Sequence, residues 1–249
     1  MGTTAASTSV QEYVARQPKV AWRRNIMRAA IRTILFKIFA RVTVIGEENV
    51  PTTAPSILMI NHVSLLDPVI GMGAVTKRYV IPMSKLENKK NLLIRPGIWW
   101  WDSYYVNRGN VDRQALQSSI ELLKTGQLLL ISPEGTRHSE GLQQPKDGLA
   151  YYATKADALI VPTAITGTQN WVKQMFTLRR PKMQIVFGKP FRLKTEGRAR
   201  IPREELATMT EEAMYQLATT IPDEHADLRG VYGDLSRATT DTIEFVIPE

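Results

Sequence analysis

The 249-residue chain contains no cysteine, which excludes disulfides, thiolate metal sites and a cysteine nucleophile together. The compartment stays open, because reducing and oxidising surroundings both tolerate the absence. Histidine is nearly as scarce. His62, His138 and His225 fall at no metal-ligand spacing, and a zinc site would need carboxylate help, so no metal is expected. Neither the Rossmann nor the P-loop glycine fingerprint is present, and no G-x-S-x-G elbow supplies a serine nucleophile. Low-complexity blocks, internal repeats and long Gly/Ser linkers are missing too, so the chain reads as one domain.

What is present is positive charge. Thirty-two Lys and Arg against 24 Asp and Glu leave a net charge of +8, which calls for an acidic partner: nucleic acid, anionic lipid or a phosphorylated substrate. Residues 1–17 are polar and small, read as a disordered or tag-like start, and carry no secretory signature. The opening MGTTAA misses the myristoylation pattern, since Ala6 stands where Ser or Thr is required.

Over residues 18–45, Trp22, Ile26, Ala30, Ile34, Ile38 and Val42 recur at helical spacing beside Ile31, Leu35 and Phe39. Lys19, Arg23, Arg24, Arg28, Arg32, Lys37 and Arg41 are interspersed, and no acidic residue appears between Lys19 and Glu47. Spanning a bilayer would bury Arg32 near mid-membrane at a cost of roughly 2.5–3.5 kcal/mol. Lying in the interface avoids that cost, and each basic residue gains on the order of 1 kcal/mol near anionic lipid. The segment fits two readings, a helix packed on its own domain and a basic amphipathic helix at a membrane interface. Two later clusters favour the interface: Ile98-Trp99-Trp100-Trp101, and Trp171 to Phe176 followed by Arg179-Arg180. The aromatics do not follow a ribonucleoprotein pattern and no helix-turn-helix or finger spacing occurs, so nucleic acid is not the expected partner.

Ser56-Ile57-Leu58-Met59-Ile60 is a continuous apolar run that delivers Asn61-His62 to the end of a buried strand, where open α/β sheets place their sites. Five residues on, Asp67-Pro68 has the form of a helix start, with Asp as N-cap and Pro in the first turn. Alone, each has an ordinary reading, a capping aspartate and a core histidine. As a pair they are a base and the carboxylate that orients it: one imidazole nitrogen held, the other left to take a proton. A second apolar run, Leu128 to Ile131, leads into Ser132-Pro133-Glu134-Gly135-Thr136-Arg137. This string is a turn on its own terms. It also brings a carboxylate to a sheet edge, with an arginine able to grip phosphate through two parallel hydrogen bonds.

NHVSLLD, YYVNR ending at Arg108, PEGTR and LIVPTAI, in that order, resemble the four blocks of the glycerolipid acyltransferase family, which includes the 1-acylglycerol-3-phosphate (lysophosphatidate) acyltransferases. The resemblance runs from about Arg41 to Pro190. It implies that His62 is the general base with Asp67 as its partner, and that Arg108 and Arg137 meet the acceptor phosphate. Glu134 would organise the acceptor site with Gly135 and Thr136 of the same block, Lys85 would be a further basic residue, and Pro162 would belong to acyl-donor binding or site shape. The chain departs from the family pattern at Asp102, where glycine is usual, at Tyr105 for phenylalanine, and at Ser132 for an aromatic residue. These departures bear on the acceptor more than on the reaction class.

The implied reaction moves a fatty acyl group from acyl-CoA or acyl-carrier protein, with no bound cofactor, to the free hydroxyl of a lysophosphatidate-like acceptor, giving phosphatidate. Glycerol-3-phosphate, another lysophospholipid or an unphosphorylated hydroxyl lipid are alternative acceptors, and a non-catalytic lipid-binding membrane module is the alternative from another class. Oxyanion donors are looked for among backbone N–H groups near PEGTR. The expected partners are an anionic phospholipid surface, the acceptor and the donor, and the expected location is peripheral or monotopic on a membrane's cytoplasmic face. Strands are expected at 56–60, 79–83, 128–131, 159–162 and 184–187, and helices at 68–75, 111–124, 149–155 and 203–220. Their alternation predicts an α/β fold: one domain, 46–221, with a central mixed sheet flanked by helices, preceded by the interfacial helix and followed by a tail, 222–249.

Overall fold

The computed structural model describes residues 9–92, 94–106, 113–146, 148–176 and 180–247. In chain order these form α1 (Val10–Ala30), β1 (Arg41–Ile45), β2 (Ser56–Ile60), α2 (Asp67–Ala74), β3 (Val80–Lys85), α3 (Arg95–Trp101), β4 (Tyr104–Val106) and α4 (Arg113–Lys124). There follow β5 (Leu128–Ile131), α5 (Leu149–Ala156), β6 (Leu159–Thr166), α6 (Trp171–Phe176), β7 (Lys182–Phe187), β8 (Phe191–Leu193), α7 (Arg203–Thr220) and β9 (Ile243–Phe245).

The unbroken apolar runs become the middle of the sheet because only strands covered on both faces can bury every side chain. The order is β1-β7-β6-β2-β5-β3-β4. β2 lies between β5 and β6, parallel to both, and β3 and β4 continue the parallel set. β7 runs antiparallel to β6, so the sheet is mixed. β8 pairs with the lower part of the same β6 edge, and Pro162 lies between the two pairings. Its carbonyl accepts from the Gly188 amide at 2.8 Å, so the N–H it lacks would have faced the break between β7 and β8.

Alternate residues of β2 feed two cores. Ile57 and Met59 join the side chains of α4, α5 and α7 on one face, and Leu58 and Ile60 join those of α2, α3 and the N-terminal helix on the other. All four are fully buried, each contributing ~1.5–3 kcal/mol.

The N-terminal region differs from expectation at both ends. Residues 10–17 are not a loose start: Ser9 and Glu12 form a capping box, α1 begins at Val10, and it continues through Pro18 at the loss of one backbone bond. At the other end a π-helical stretch, Ile31–Phe39, extends α1 and stops at Ala40. Residues 41–45 are therefore a strand, not a helical turn. The alternating Arg-Val-Thr-Val-Ile pairs in parallel with β7, and Val42 and Val44 turn inward.

Three of the basic residues serve this packing. Arg24 is buried and donates to the Trp101 carbonyl at 2.6 Å, the Tyr13 hydroxyl at 3.1 Å and the Asp102 carbonyl at 3.0 Å. Arg28 donates to the Val75 and Thr76 carbonyls at 3.3 and 2.8 Å, and Arg32 to the Gly73 carbonyl at 3.0 Å. Together Arg28 and Arg32 satisfy carbonyls that the end of α2 leaves open. The opposite face keeps Trp22, Ile26, Ile34, Ile38 and Phe39 exposed, next to Trp99 and Trp100 of α3. No helix among the described residues is long and apolar enough to cross a membrane.

The residues after Pro222 are part of the domain. A 3-10 stretch, Asp223–Tyr232, buries Leu228 and Tyr232, and β9 pairs with β8. Glu212 of α7 fixes the approach to β9, accepting from the Thr239 hydroxyl and from the Asp241 and Thr242 amides.

Candidate active site

Five strands, β2 to β6, point the same way, so their C-terminal ends share one edge. At that edge Asn61 continues β2 with its side chain. Its amide donates to the Ile165 carbonyl at 2.9 Å and its oxygen accepts from the Ile165 N–H at 2.7 Å, fixing the backbone on which the next residue stands.

That residue is His62, one-fifth exposed, with Nδ1 3.0 Å from Asp67 Oδ2. The carboxylate is fully buried. Asp67 Oδ2 also accepts from the Val63 and Ser64 amides, both at 2.7 Å, and Oδ1 accepts from the Thr168 hydroxyl at 2.7 Å. Asp67 starts α2 but does not cap it. Its carboxylate turns back into the His62–Leu66 loop, because a buried charge is stabilised best where several donors converge. With Nδ1 held, Nε2 is the nitrogen left for proton transfer.

The loop after β5 is stitched to the same place. The His138 amide donates to the His62 carbonyl at 2.8 Å, and the buried Glu134 carboxylate accepts from the Gln143 amide at 2.9 Å and, in a longer contact of 3.4 Å, from the His62 amide. Burial pushes the Glu134 carboxyl up to about 7, only partly offset by those two N–H donors. Gly135 takes a positive φ of 70°, and a methyl group there would meet Cδ of Lys146 at 2.9 Å, so the lysine stem lies across the turn. Thr136 and Arg137 face solvent. The N–H groups of Gly135 and His138 are committed to the Ser132 and His62 carbonyls, which removes both from the expected set of oxyanion donors.

The structure thus brings together His62, Asp67, Glu134 and Gly135, with Thr136 and Arg137 on the same loop. Arg108 lies outside the described residues. Lys85 ends β3 opposite Val106 at the same sheet edge, and its side chain is likewise outside them. Pro162 is buried in mid-strand, level with Met59 of β2 and so below His62. Sequence reasoning missed Asn61 as a clamp, Thr168 as a partner of Asp67, and Lys146. Asn61 had a signal, an amide just past a buried strand, whereas Thr168 and Lys146 had none.

A buried carboxylate aligns a strand-end histidine beside a loop that carries an arginine. Comparison with known proteins names the class: the model of the family described as Acyltransferase matches residues 41–166, and the chain belongs to that family. It is an O-acyltransferase, similar to enzymes of glycerolipid synthesis. It is 31% identical over 180 residues to the 1-acyl-sn-glycerol-3-phosphate acyltransferase of Bacillus subtilis, a match covering 72% of this chain and 87% of that one. The Borreliella burgdorferi enzyme of the same name is 28% identical over 153 residues, 59% of each chain. The crystal structure of the 1-acyl-sn-glycerophosphate acyltransferase PlsC from Thermotoga maritima superposes with a TM-score of 0.60 at 25% identity, over 79% of this chain and 78% of that one.

Proposed function

We propose that this enzyme transfers a fatty acyl group from an acyl thioester to the free hydroxyl of a lysophosphatidate-like acceptor, giving phosphatidate. The observation that carries the reading is the His62–Asp67 pair at 3.0 Å, bound through Glu134 and His138 to the loop that presents Arg137. His62 Nε2 takes the hydroxyl proton as the acceptor oxygen attacks the thioester carbonyl. The C–S bond then breaks, the thiolate leaves, and the proton on His62 is returned to it. Asp67 stabilises the imidazolium in between without taking the proton. No covalent acyl-enzyme is needed, because the thioester is already activated and the task is alignment.

Arg137 supports a phosphate-bearing acceptor through paired hydrogen bonds, with the Lys146 ammonium, carried across the same turn, as a second cation. Trp22, Ile26, Ile34, Ile38, Phe39, Trp99 and Trp100 support peripheral attachment to a membrane surface, where such an acceptor resides.

Purified protein given lysophosphatidate and acyl-CoA is expected to release thiol and form phosphatidate, and His62→Ala to lose about 10²–10⁴-fold in kcat. An alanine variant that keeps most of its activity would remove His62 as the base. A panel of acceptors with and without phosphate, offered with both CoA and carrier-protein donors, decides substrate choice.

A further inference from the structure

The machinery around His62 draws on a strand that the reading above does not use. β6 ends at Thr166 and the chain turns at Gly167, whose φ is +78°. A β-carbon there would come within 2.1 Å of the Lys182 carbonyl oxygen, so the turn is tight and open only to glycine. The next residue, Thr168, is fully buried, and its hydroxyl reaches Asp67 Oδ1 at 2.7 Å across 101 positions of sequence.

The four donors to Asp67 divide unequally. Oδ2 receives His62 Nδ1 and the Val63 and Ser64 amides, all from the loop that Asp67 itself closes. Among the described residues Thr168 is the only donor to Oδ1 and the only one from another element. Without it, Oδ1 would be a buried carboxylate oxygen with no hydrogen bond, the costliest state for such a group. The carboxylate could recover solvation only by rotating about its χ2, and that rotation would carry Oδ2 away from the imidazole. β6 is itself locked to β2 by the Asn61–Ile165 bonds, so the hydroxyl comes from a fixed support.

We propose that Thr168 is a positioning residue for the reaction: its hydroxyl fixes the rotation and charge of Asp67, and through Asp67 the orientation and basicity of His62. It touches neither substrate. The proposal rests on His62 being the base.

The test compares Thr168→Val, Thr168→Ser and His62→Ala in the full-length protein, using lysophosphatidate and acyl-CoA. Valine keeps the shape and removes the hydroxyl. It should lower kcat about ten- to a hundredfold, the size expected of one hydrogen bond to a charged group, with both KM values within about twofold. Serine should restore most of kcat. In 15N spectra of the histidine rings, with the His62 signal assigned from its loss in His62→Ala, the valine variant should shift the Nδ1–H resonance and the serine variant should leave it in place. Unchanged kcat in the valine variant overturns the proposal, as does a serine variant as slow as valine, or a loss confined to KM. Should the valine variant fail to fold, Thr168→Ala, which adds no methyl group beside the carboxylate, is measured the same way. Retained activity in His62→Ala would instead defeat the base assignment, so the two failures are told apart.

Discussion

Glu134 stands at the join between the two loops of the site, and its environment sets a pH dependence. Its carboxyl is raised from an ordinary value of 4.5 to about 7, with burial as the main cause. A raised folded-state value means the folded protein holds this proton through a range in which the unfolded chain has already lost it. Stability from this group therefore falls as pH rises from about 4.5 to about 7, and the loss is complete above that. Glu134→Gln removes the ionisation, so the melting temperature of the variant relative to the parent should climb between pH 5 and pH 8. A constant offset across that range would show that the group does not titrate there. At this scale the pair His62 and Asp67 was legible because a five-residue spacing after a buried run places both in one loop. Thr168 was not, since its contact depends on how β6 lies beside β2, which no local pattern encodes.

Between elements, α2 is the piece most constrained by its neighbours. Gly73 faces the π-helical stretch so closely that a β-carbon would fall 2.4 Å from Ile31 Cγ2 and 3.0 Å from Phe36 Cζ. Gly97 in α3 has room, its nearest neighbour being Met27 Cε at 3.8 Å. Gly→Ala in a helix is ordinarily worth up to ~1 kcal/mol. Gly97→Ala should realise that gain and raise the melting temperature by roughly 2–4 °C per kcal/mol. Gly73→Ala should lower it instead, because overpacking costs ~1–3 kcal/mol. Thermal melts of the two variants side by side check the contrast. Continuous apolar runs marked β2 and β5 to the residue, and the expected bounds of α7 matched as well. The three-residue strands β4, β8 and β9 are too short to show a period, and β1 was hidden because Val42 extends the helical spacing by one step. Ser9 and Glu12 announced the true start of α1, but Pro18 reads as a break unless that cap is weighed against it.

At the scale of the whole molecule, a group of exposed apolar residues lies along the N-terminal helix and α3. Trp22 and Trp99, at 57% and 60% exposure, flank Trp100, which stacks edge-on against both. Arg23 sits 4.6 Å over the Trp99 ring. Replacing Trp99 and Trp100 by alanine should weaken co-sedimentation with phosphatidylglycerol-containing vesicles at least tenfold, with the melting temperature little changed. Equal binding by parent and variant would remove this aromatic group as a membrane contact. Strand order and the closing of β9 onto β8 were not legible in the chain, because pairing between distant strands carries no local signature. The α/β class was, since alternating runs leave little else to build.

The arginines fastened onto α2 bear on how such attachment would respond to its medium. Of seven basic residues between Lys19 and Arg41, Arg24, Arg28 and Arg32 spend their hydrogen bonds on backbone carbonyls within the protein. Only the rest are left to meet headgroups, so less of the adhesion is exposed to screening by salt than the charge count suggests. Attachment carried by the aromatic face would therefore loosen little with a change of ionic strength, and more with a change in how tightly the acyl chains of the bilayer pack.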